Sequence, residues 1–85
     1  MIEKITFSIH AKERMRSRGI TDSMVRSAIN NPNSIVEDSE CKRIYHKTLD
    51  DGQSIMLLRV FVNPCKEPPV VITAYKTSKI EKYEY

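Results

Sequence analysis

The segment His10–Gly19, HAKERMRSRG, places a histidine and three arginines within ten residues. His10, Arg14 and Arg18 recur every four positions, so on a helix they occupy one face. A histidine can take or give a proton near neutral pH, and arginines can stabilise the negative charge that develops on a phosphate. The spacing therefore predicts a site for phosphodiester chemistry.

This histidine and arginine stripe has a structural alternative. His10 would then bond to the local backbone, and the two arginines of the stripe would pair with acids such as Glu37 or Asp38. We expect the remaining charged residues of the segment to be solvated helix surface: Lys12, Glu13 and Arg16.

Capping residues define the helices that must position the stripe. Ser8 is a suitable N-cap and Gly19 a suitable stop, which predicts a first helix over Ile9–Arg18. Thr21 caps a second helix, which the residues before Pro32 bring to an end. Four apolar residues of the second helix share one face and are expected in the core: Met24, Val25, Ala28 and Ile29.

Period-two alternation predicts strands before the first helix and after the second. The predicted strands cover residues 2–8, 34–37, 42–48, 54–62 and 70–75. Asp50-Asp51-Gly52 is typical of a hairpin turn, and the C-terminal SKIEKYEY is either a short helix or an extended arm. The order β-α-α-β-β-β-β predicts one α+β domain over residues 1–85, with both helices on one face of an antiparallel sheet.

Alternation also predicts which side chains the helices leave uncovered. Two apolar sets are expected to meet the helices: Met56, Leu58, Val60 and Val62 in one strand, and Val70, Ile72 and Ala74 in the last. The opposite face is expected to carry a basic and aromatic set: Arg43, Tyr45, Lys47, Arg59, Phe61, Thr73 and Tyr75. Because cations neutralise phosphates and aromatic rings stack on unpaired bases, this face favours RNA binding.

These charged residues also have structural alternatives. Single surface cations such as Lys47 and Arg43 are commonly only solvated. Arg59 lies in the most apolar strand, where a charge needs a partner, so its alternative is a salt bridge to Glu81 or Glu84 in the tail.

Composition and charge indicate the class of protein and the kind of partner it binds. The net charge of +3 and pI of about 9.0 are mildly basic and favour a nucleic-acid partner. No apolar run is long enough to span a membrane, and the N-terminus lacks the features of a signal peptide, so we expect a cytoplasmic protein. Cys41 and Cys65 are then expected to be free thiols. Zinc bound by these cysteines with His10 and His46 lacks any supporting spacing, and no metal is predicted.

Two segments together resemble a known family. HAKERMRSRGI near the N-terminus and VVITAYK near the C-terminus, in this order, resemble a small prokaryotic domain family of unassigned function. That family is similar to the RelE/ParE-type superfamily, which includes BrnT-like toxins and the barnase, EndoU and colicin nuclease folds. The resemblance covers residues 10–76 and implies a RelE-like fold.

The resemblance implies a toxin-like, metal-independent endoribonuclease that needs no cofactor and has an antitoxin protein as a partner. Its reaction is attack of a ribose 2′-hydroxyl on the adjacent phosphate, which yields a cyclic phosphate and a free 5′-hydroxyl. With the alternation, it implies His10, Arg14 and Tyr75 as catalytic residues. The residues expected to bind RNA are Arg18, Tyr45, Lys47, Arg59 and Thr73.

Other residues and functions stay open at this point. Alternation places His46 with Ile44 on the helix side, which favours a structural role, and the tail tyrosines Tyr83 and Tyr85 are further candidates for the site. One alternative function is a non-catalytic module that binds RNA or protein through the same face. Another is a structural protein whose edge strand pairs with a partner.

Overall fold

The structure is a computed structural model that describes residues 4–50 and 52–79. Its elements are β1 (Thr6–Phe7), α1 (Ile9–Arg18), α2 (Asp22–Asn30), β2 (Ser34–Ser39), β3 (Lys42–Asp50), β4 (Ile55–Asn63) and β5 (Val70–Thr77). The predicted α+β class with two helices is confirmed. Residues 2 and 3 of the first predicted strand, and the tail from residue 80, lie outside the described residues.

The sheet has the strand order β1-β5-β4-β3-β2 and is mixed. The prediction of a wholly antiparallel sheet is wrong, because β1 runs parallel to β5 while the other neighbours are antiparallel. Backbone N–H groups of Thr6 and Ser8 donate to the carbonyls of Pro69 and Val71, which fixes this parallel pairing. Within the described ranges, neither helix is long and apolar enough to cross a membrane.

Caps delimit α1 and α2 as the sequence predicts. The Ser8 hydroxyl accepts the N–H of Ala11 at 3.0 Å, and the Thr21 hydroxyl accepts that of Met24 at 3.1 Å. Gly19 ends α1 with a φ of +67°, a left-handed conformation that side chains with a Cβ adopt only with strain. Ser8 and Gly19 therefore fix where α1 begins and ends, and Thr21 fixes where α2 begins.

The main core lies between the helices and one side of the sheet, which we call the helix face. α1 packs on β5, and α2 packs on β3 and β4. The buried residues of this core are Ala11, Met15, Ile20, Val25, Ala28, Ile29, Tyr45, Leu58, Val60, Val62, Val71 and Ala74. The apolar set predicted for β4 is therefore largely confirmed, with Met56 half-buried beside it.

The phase of β3 differs from the prediction. Tyr45 pairs with Val60 and belongs to the core, so Arg43, Tyr45 and Lys47 lie on the helix face rather than opposite it. His46 pairs with Arg59 and lies on the other side of the sheet, which we call the opposite face. The prediction was wrong because buried Ile44 was assigned to the helix core, whereas it is buried on the opposite face.

A bulge in β5 changes one further assignment. The register shifts between Phe61 and Val62, so that Val71 pairs with Val62 and Thr73 with Phe61. The extra residue, Ile72, is more than one-third exposed, whereas Val71 is fully buried. Of the predicted core set of this strand, Ala74 is confirmed, whereas Val70 and Ile72 are wrong and Val71 is buried in their place, because an inserted residue reverses alternation on one side of it.

A disulfide joins Cys41, in the turn between β2 and β3, to Cys65, in the loop between β4 and β5. The expectation of two free thiols is wrong. Sequence separation did not reveal the pair, because the two loops meet only once β3 and β4 have paired side by side. The bridge also removes these thiols from any zinc site.

Candidate functional site

Four polar residues form a straight row across the opposite face. Ser34 of β2 lies directly opposite His46 of β3, His46 opposite Arg59 of β4, and Arg59 opposite Tyr75 of β5. Directly opposed residues on adjacent strands are close enough for their side chains to interact. The side chains of the row therefore connect four neighbouring strands, in addition to the backbone pairing of those strands.

Hydrogen bonds connect each neighbouring pair in the row. The Ser34 hydroxyl lies 3.2 Å from His46 Nδ1, and Arg59 Nε donates to His46 Nε2 at 3.1 Å. Arg59 Nη1 donates to the hydroxyl of Tyr75. His46 is 1% exposed and Arg59 8% exposed, so the centre of the row is buried on the face away from the helices, while Ser34 and Tyr75 at its ends are half-buried.

The environment of His46 favours its neutral form. Burial lowers the pKa of His46 below its ordinary 6.5, and the positive charge of Arg59 lowers that pKa further. Both effects act in the same direction, because each penalises a second positive charge in the network. His46 is therefore a neutral hydrogen-bonding residue at neutral pH.

Cations and aromatic rings alternate around the row. The guanidinium of Arg59 lies 5.1 Å from the ring centre of Phe61 and 5.5 Å from that of Tyr75. These two rings are stacked, with centres 5.9 Å apart. Lys42 lies 5.5 Å from the Phe61 ring, and Arg18 lies 5.9 Å from the Tyr75 ring. We call these five residues the cation–aromatic array.

Arg18 brings α1 into contact with this array. Its Nη1 donates to the Ala74 carbonyl at 2.8 Å while its guanidinium approaches the Tyr75 ring. At the other end of α1, the Ser8 hydroxyl donates to the Ile72 carbonyl at 3.3 Å. Both ends of α1 are thereby fastened along β5, and of the predicted helix stripe Arg18 contacts the predicted last-strand motif, at Tyr75.

His10 and Arg14 are exposed on α1. They share a helix face with Arg18 by spacing, and neither side chain has a hydrogen-bond or ion-pair partner within residues 4–50 and 52–79. The acids weighed as partners of Arg14 and Arg18 are engaged elsewhere, since Glu37 pairs with Arg43 and Asp38 with Lys42. The ion-pair alternative for the stripe is therefore wrong for these two acids.

Two residues predicted to bind RNA have structural surroundings instead. Tyr45 is buried in the helix-face core, and its hydroxyl accepts a 3.4 Å hydrogen bond from Arg43. Hydrogen bonds to Tyr45 and then to Glu37 raise the pKa of Arg43 above its ordinary value. Lys47 donates to the carbonyl of Asn31 at 2.8 Å, where α2 ends. These residues lie on the other side of the sheet from the row.

The predicted residues Arg59, Thr73 and Tyr75 lie together on the opposite face, with Thr73 half-buried across from Phe61. The alternative salt bridges of Arg59, to Glu81 or Glu84, fall outside the described residues, as do Tyr83 and Tyr85. Sequence reasoning missed His46 and Ser34 as members of the site. Their membership follows from the registers of β3 with β2 and with β4, which bring Ser34 and His46 into line with Arg59.

A family model matches residues 7–76, which include α1, the whole row and all but the last residue of β5. The chain belongs to the family described as domain of unknown function (DUF4258). It has no significant match among curated proteins or solved structures. The family therefore establishes relationship without assigning an activity.

Other surfaces of this DUF4258 domain are separate from the row. A cavity of about 460 Å³ lies beside the start of α2 and the β3–β4 hairpin, and its walls include Met24, Leu49, Met56 and Lys76. None of the predicted site residues is among its described lining residues. No three His, Cys, Asp or Glu side chains cluster as a metal site within the described chain.

Proposed function

We propose that this DUF4258 domain is a RelE-like, metal-independent endoribonuclease whose site lies where α1 meets β5. RNA is its substrate, and an antitoxin-like protein is its partner. The supporting observation is that Arg18 contacts both the Ala74 carbonyl and the Tyr75 ring. Two motifs that are 56 residues apart in sequence thereby meet at one edge of the sheet.

In the proposed reaction, His10 takes the proton of a ribose 2′-hydroxyl while the 2′-oxygen forms a bond to the adjacent phosphorus. Arg14 and Arg18 stabilise the additional negative charge on the phosphoryl oxygens. The bond from phosphorus to the 5′-oxygen breaks, and the Tyr75 hydroxyl gives that oxygen a proton. The products are a 2′,3′-cyclic phosphate and a free 5′-hydroxyl, and solvent returns the protons of His10 and Tyr75 to their starting state.

The test is cleavage of a mixed-sequence RNA in excess EDTA by the full chain. His10→Ala is expected to lower kcat by about 100-fold or more, as for loss of a general base. Arg14→Ala is expected to lower it by about 100-fold, as for loss of one stabilising donor. Fragments should carry 2′,3′-cyclic phosphate ends.

Arg16→Ala is the matched control for Arg14→Ala. Both arginines are exposed on α1, and they lie two positions apart on different sides of the helix. Arg16→Ala should leave cleavage unchanged. Equal cleavage by the wild type, His10→Ala and Arg14→Ala would contradict the proposed site. If the wild type cleaves no RNA, the proposal of ribonuclease activity is wrong.

A non-catalytic RNA-binding module is the second candidate, and a specific observation favours it. No hydrogen bond within the described residues orients the side chain of His10, whereas the cation–aromatic array already combines cations with stacked rings. Such an array suits stacking on unpaired bases. Tight RNA binding that weakens steeply with salt, without any cleavage product, would favour this candidate.

The same cleavage experiments also test the cellular location of the protein. A cytoplasmic ribonuclease would act with Cys41 and Cys65 reduced, since disulfides are rare in that compartment, whereas the structure contains the bridge. We propose a cytoplasmic location on the strength of the RNA substrate. Cleavage should therefore persist in excess dithiothreitol, and activity that is confined to the oxidised chain would place the enzyme in an oxidising compartment.

A further inference from the structure

His46 has a defined partner at each of its ring nitrogens. Arg59 Nε lies 3.1 Å from His46 Nε2, and Ser34 Oγ lies 3.2 Å from His46 Nδ1. Arginine nitrogens are donors only, so Nε2 must accept with its lone pair. The ring proton of the neutral imidazole is then on Nδ1, where it is donated to the Ser34 hydroxyl. The contacts therefore select one tautomer.

The Arg59 guanidinium transmits this constraint across the sheet. The guanidinium is planar and presents its donors in a fixed fork, so the direction of Nε also sets the direction of Nη1. Nη1 donates to the Tyr75 hydroxyl oxygen. The Phe61 and Tyr75 rings lie 5.1 and 5.5 Å from the same guanidinium, which limits its tilt.

We propose that His46 and Ser34 are positioning residues for Tyr75, acting through Arg59. They hold the guanidinium so that Nη1 donates to the Tyr75 hydroxyl oxygen, and the hydroxyl proton is then directed away from Arg59. This inference rests on the proposed function, in which that proton goes to the departing 5′-oxygen. None of these residues but Tyr75 touches the reacting atoms.

Acid should disrupt the same row. A proton on His46 Nε2 would face the Nε–H of Arg59, so two donors and two positive charges would oppose each other. Among the described residues, the elements that pack against His46 on this face contribute neutral Ser34 from β2 and the cation Arg59 from β4, with Tyr75 of β5 beyond it. Protonation of His46 would therefore remove the contact that directs Arg59 toward the Tyr75 hydroxyl.

Paired substitutions test the positioning role. In His46→Gln the side-chain carbonyl can still accept from Arg59, whereas His46→Leu cannot. We expect His46→Leu to lower kcat by about 100-fold with little change in KM, the size of loss caused by a misplaced catalytic group. His46→Gln should recover most of that loss, and Tyr75→Phe should be no further impaired by adding His46→Leu.

Nitrogen-15 NMR of His46 provides a readout that needs no RNA. At pH 7.5 the wild type should show a protonated Nδ1 and an unprotonated Nε2, and Ser34→Ala should weaken this preference. In His46→Leu the ring signals of Tyr75 should shift, while in His46→Gln they should stay near their wild-type positions. Thr48→Leu is the matched control, since Thr48 is exposed on the same side of β3 two residues further on.

The two readouts separate the failure of each proposal. The positioning role would be overturned, whether or not RNA is cleaved, by a protonated Nε2 in the wild type. It would also be overturned if the Tyr75 signals of His46→Leu matched those of the wild type. The expected spectra without any RNA cleavage would retain the positioning of Tyr75 and overturn the ribonuclease. Equal loss of kcat in His46→Leu and His46→Gln, with both variants folded, would also overturn the positioning role.

Discussion

The two faces of one sheet are built in different ways. On the helix face, β4 contributes Leu58, Val60 and Val62, which are fully buried beneath the helices. On the opposite face, the same strand contributes Arg59, which is buried through directed bonds to His46 and Tyr75. Apolar burial has no required direction, whereas a buried guanidinium needs each acceptor in place. One set of side chains of β4 therefore contributes to the apolar core, and the other set includes a guanidinium whose position depends on hydrogen bonds to named partners.

Truncation on the helix face should have the largest effect on stability. Leu58 is fully buried, so Leu58→Ala is expected to lower the free energy of unfolding by about 2 to 5 kcal/mol. Urea denaturation followed by circular dichroism measures it. Ile55→Ala is the control, because Ile55 is half-exposed on the same strand, and it should change stability by about 0.5 kcal/mol or less. Equal losses at both positions would contradict the assignment of the core to the helix face.

Loss of the Cys41–Cys65 bridge should weaken both faces alike. The cysteines are 24 residues apart, and closing a loop of that size stabilises a fold by about 2 to 4 kcal/mol. The Cys41→Ser/Cys65→Ser double variant should lose that amount relative to the oxidised wild type. Reduced wild type should match the variant in urea denaturation. A loss confined to signals from the row would show that the bridge supports only the opposite face.

Removal of Arg59 should cost less and depend on its partners. Arg59→Met leaves His46 and Tyr75 without the donors that Arg59 supplies, an expected loss of about 1 to 3 kcal/mol. Adding His46→Leu should restore part of that loss, because the double variant no longer buries an imidazole that has lost its donor. Thermal denaturation of the single and double variants measures the difference. Additive losses would show that the two side chains act independently.

Acid should produce the smallest change, and only through the opposite face. The pKa of His46 is below 6.5 in the fold, so the unfolded chain takes up this proton first as the pH falls. The contribution of His46 is complete above pH 6.5 and declines below it until the lowered folded pKa is reached. Unfolding free energies between pH 7.5 and 5 should therefore fall more steeply for the wild type than for His46→Gln. Identical slopes would place His46 in a solvent-like environment.

Much of the fold follows from local sequence. The remaining parts are determined by which strands pair at long range. Ser8, Gly19 and Thr21 carry their capping information in their own chemistry, and they delimit the helices as predicted. Alternation correctly separated Leu58 from Arg59 within β4. For β3 it separated Tyr45 from His46 but assigned each to the wrong face, because the neighbouring Ile44 is buried on the opposite face and not beneath the helices.

The candidate site shows the same limit. His10, Arg14 and Arg18 were recognisable by their helical spacing, and Tyr75 by its motif. His46 and Ser34 become members of the row only through the registers of β3 with its two neighbours, which no local pattern encodes. The bulge at Ile72 and the disulfide have the same origin, since both depend on which strands lie side by side.

The attachment of α1 to β5 also bears on how copies of the chain can assemble. Carbonyls of Ile72 and Ala74 on the β5 border accept hydrogen bonds from Ser8 and Arg18, so an incoming strand would have to displace a guanidinium there. β2 forms the border at the other end of the sheet. Protection of this part of β5 removes one of the places where strands of two copies could pair. The helix that carries the proposed site thus also limits polymerisation of the fold.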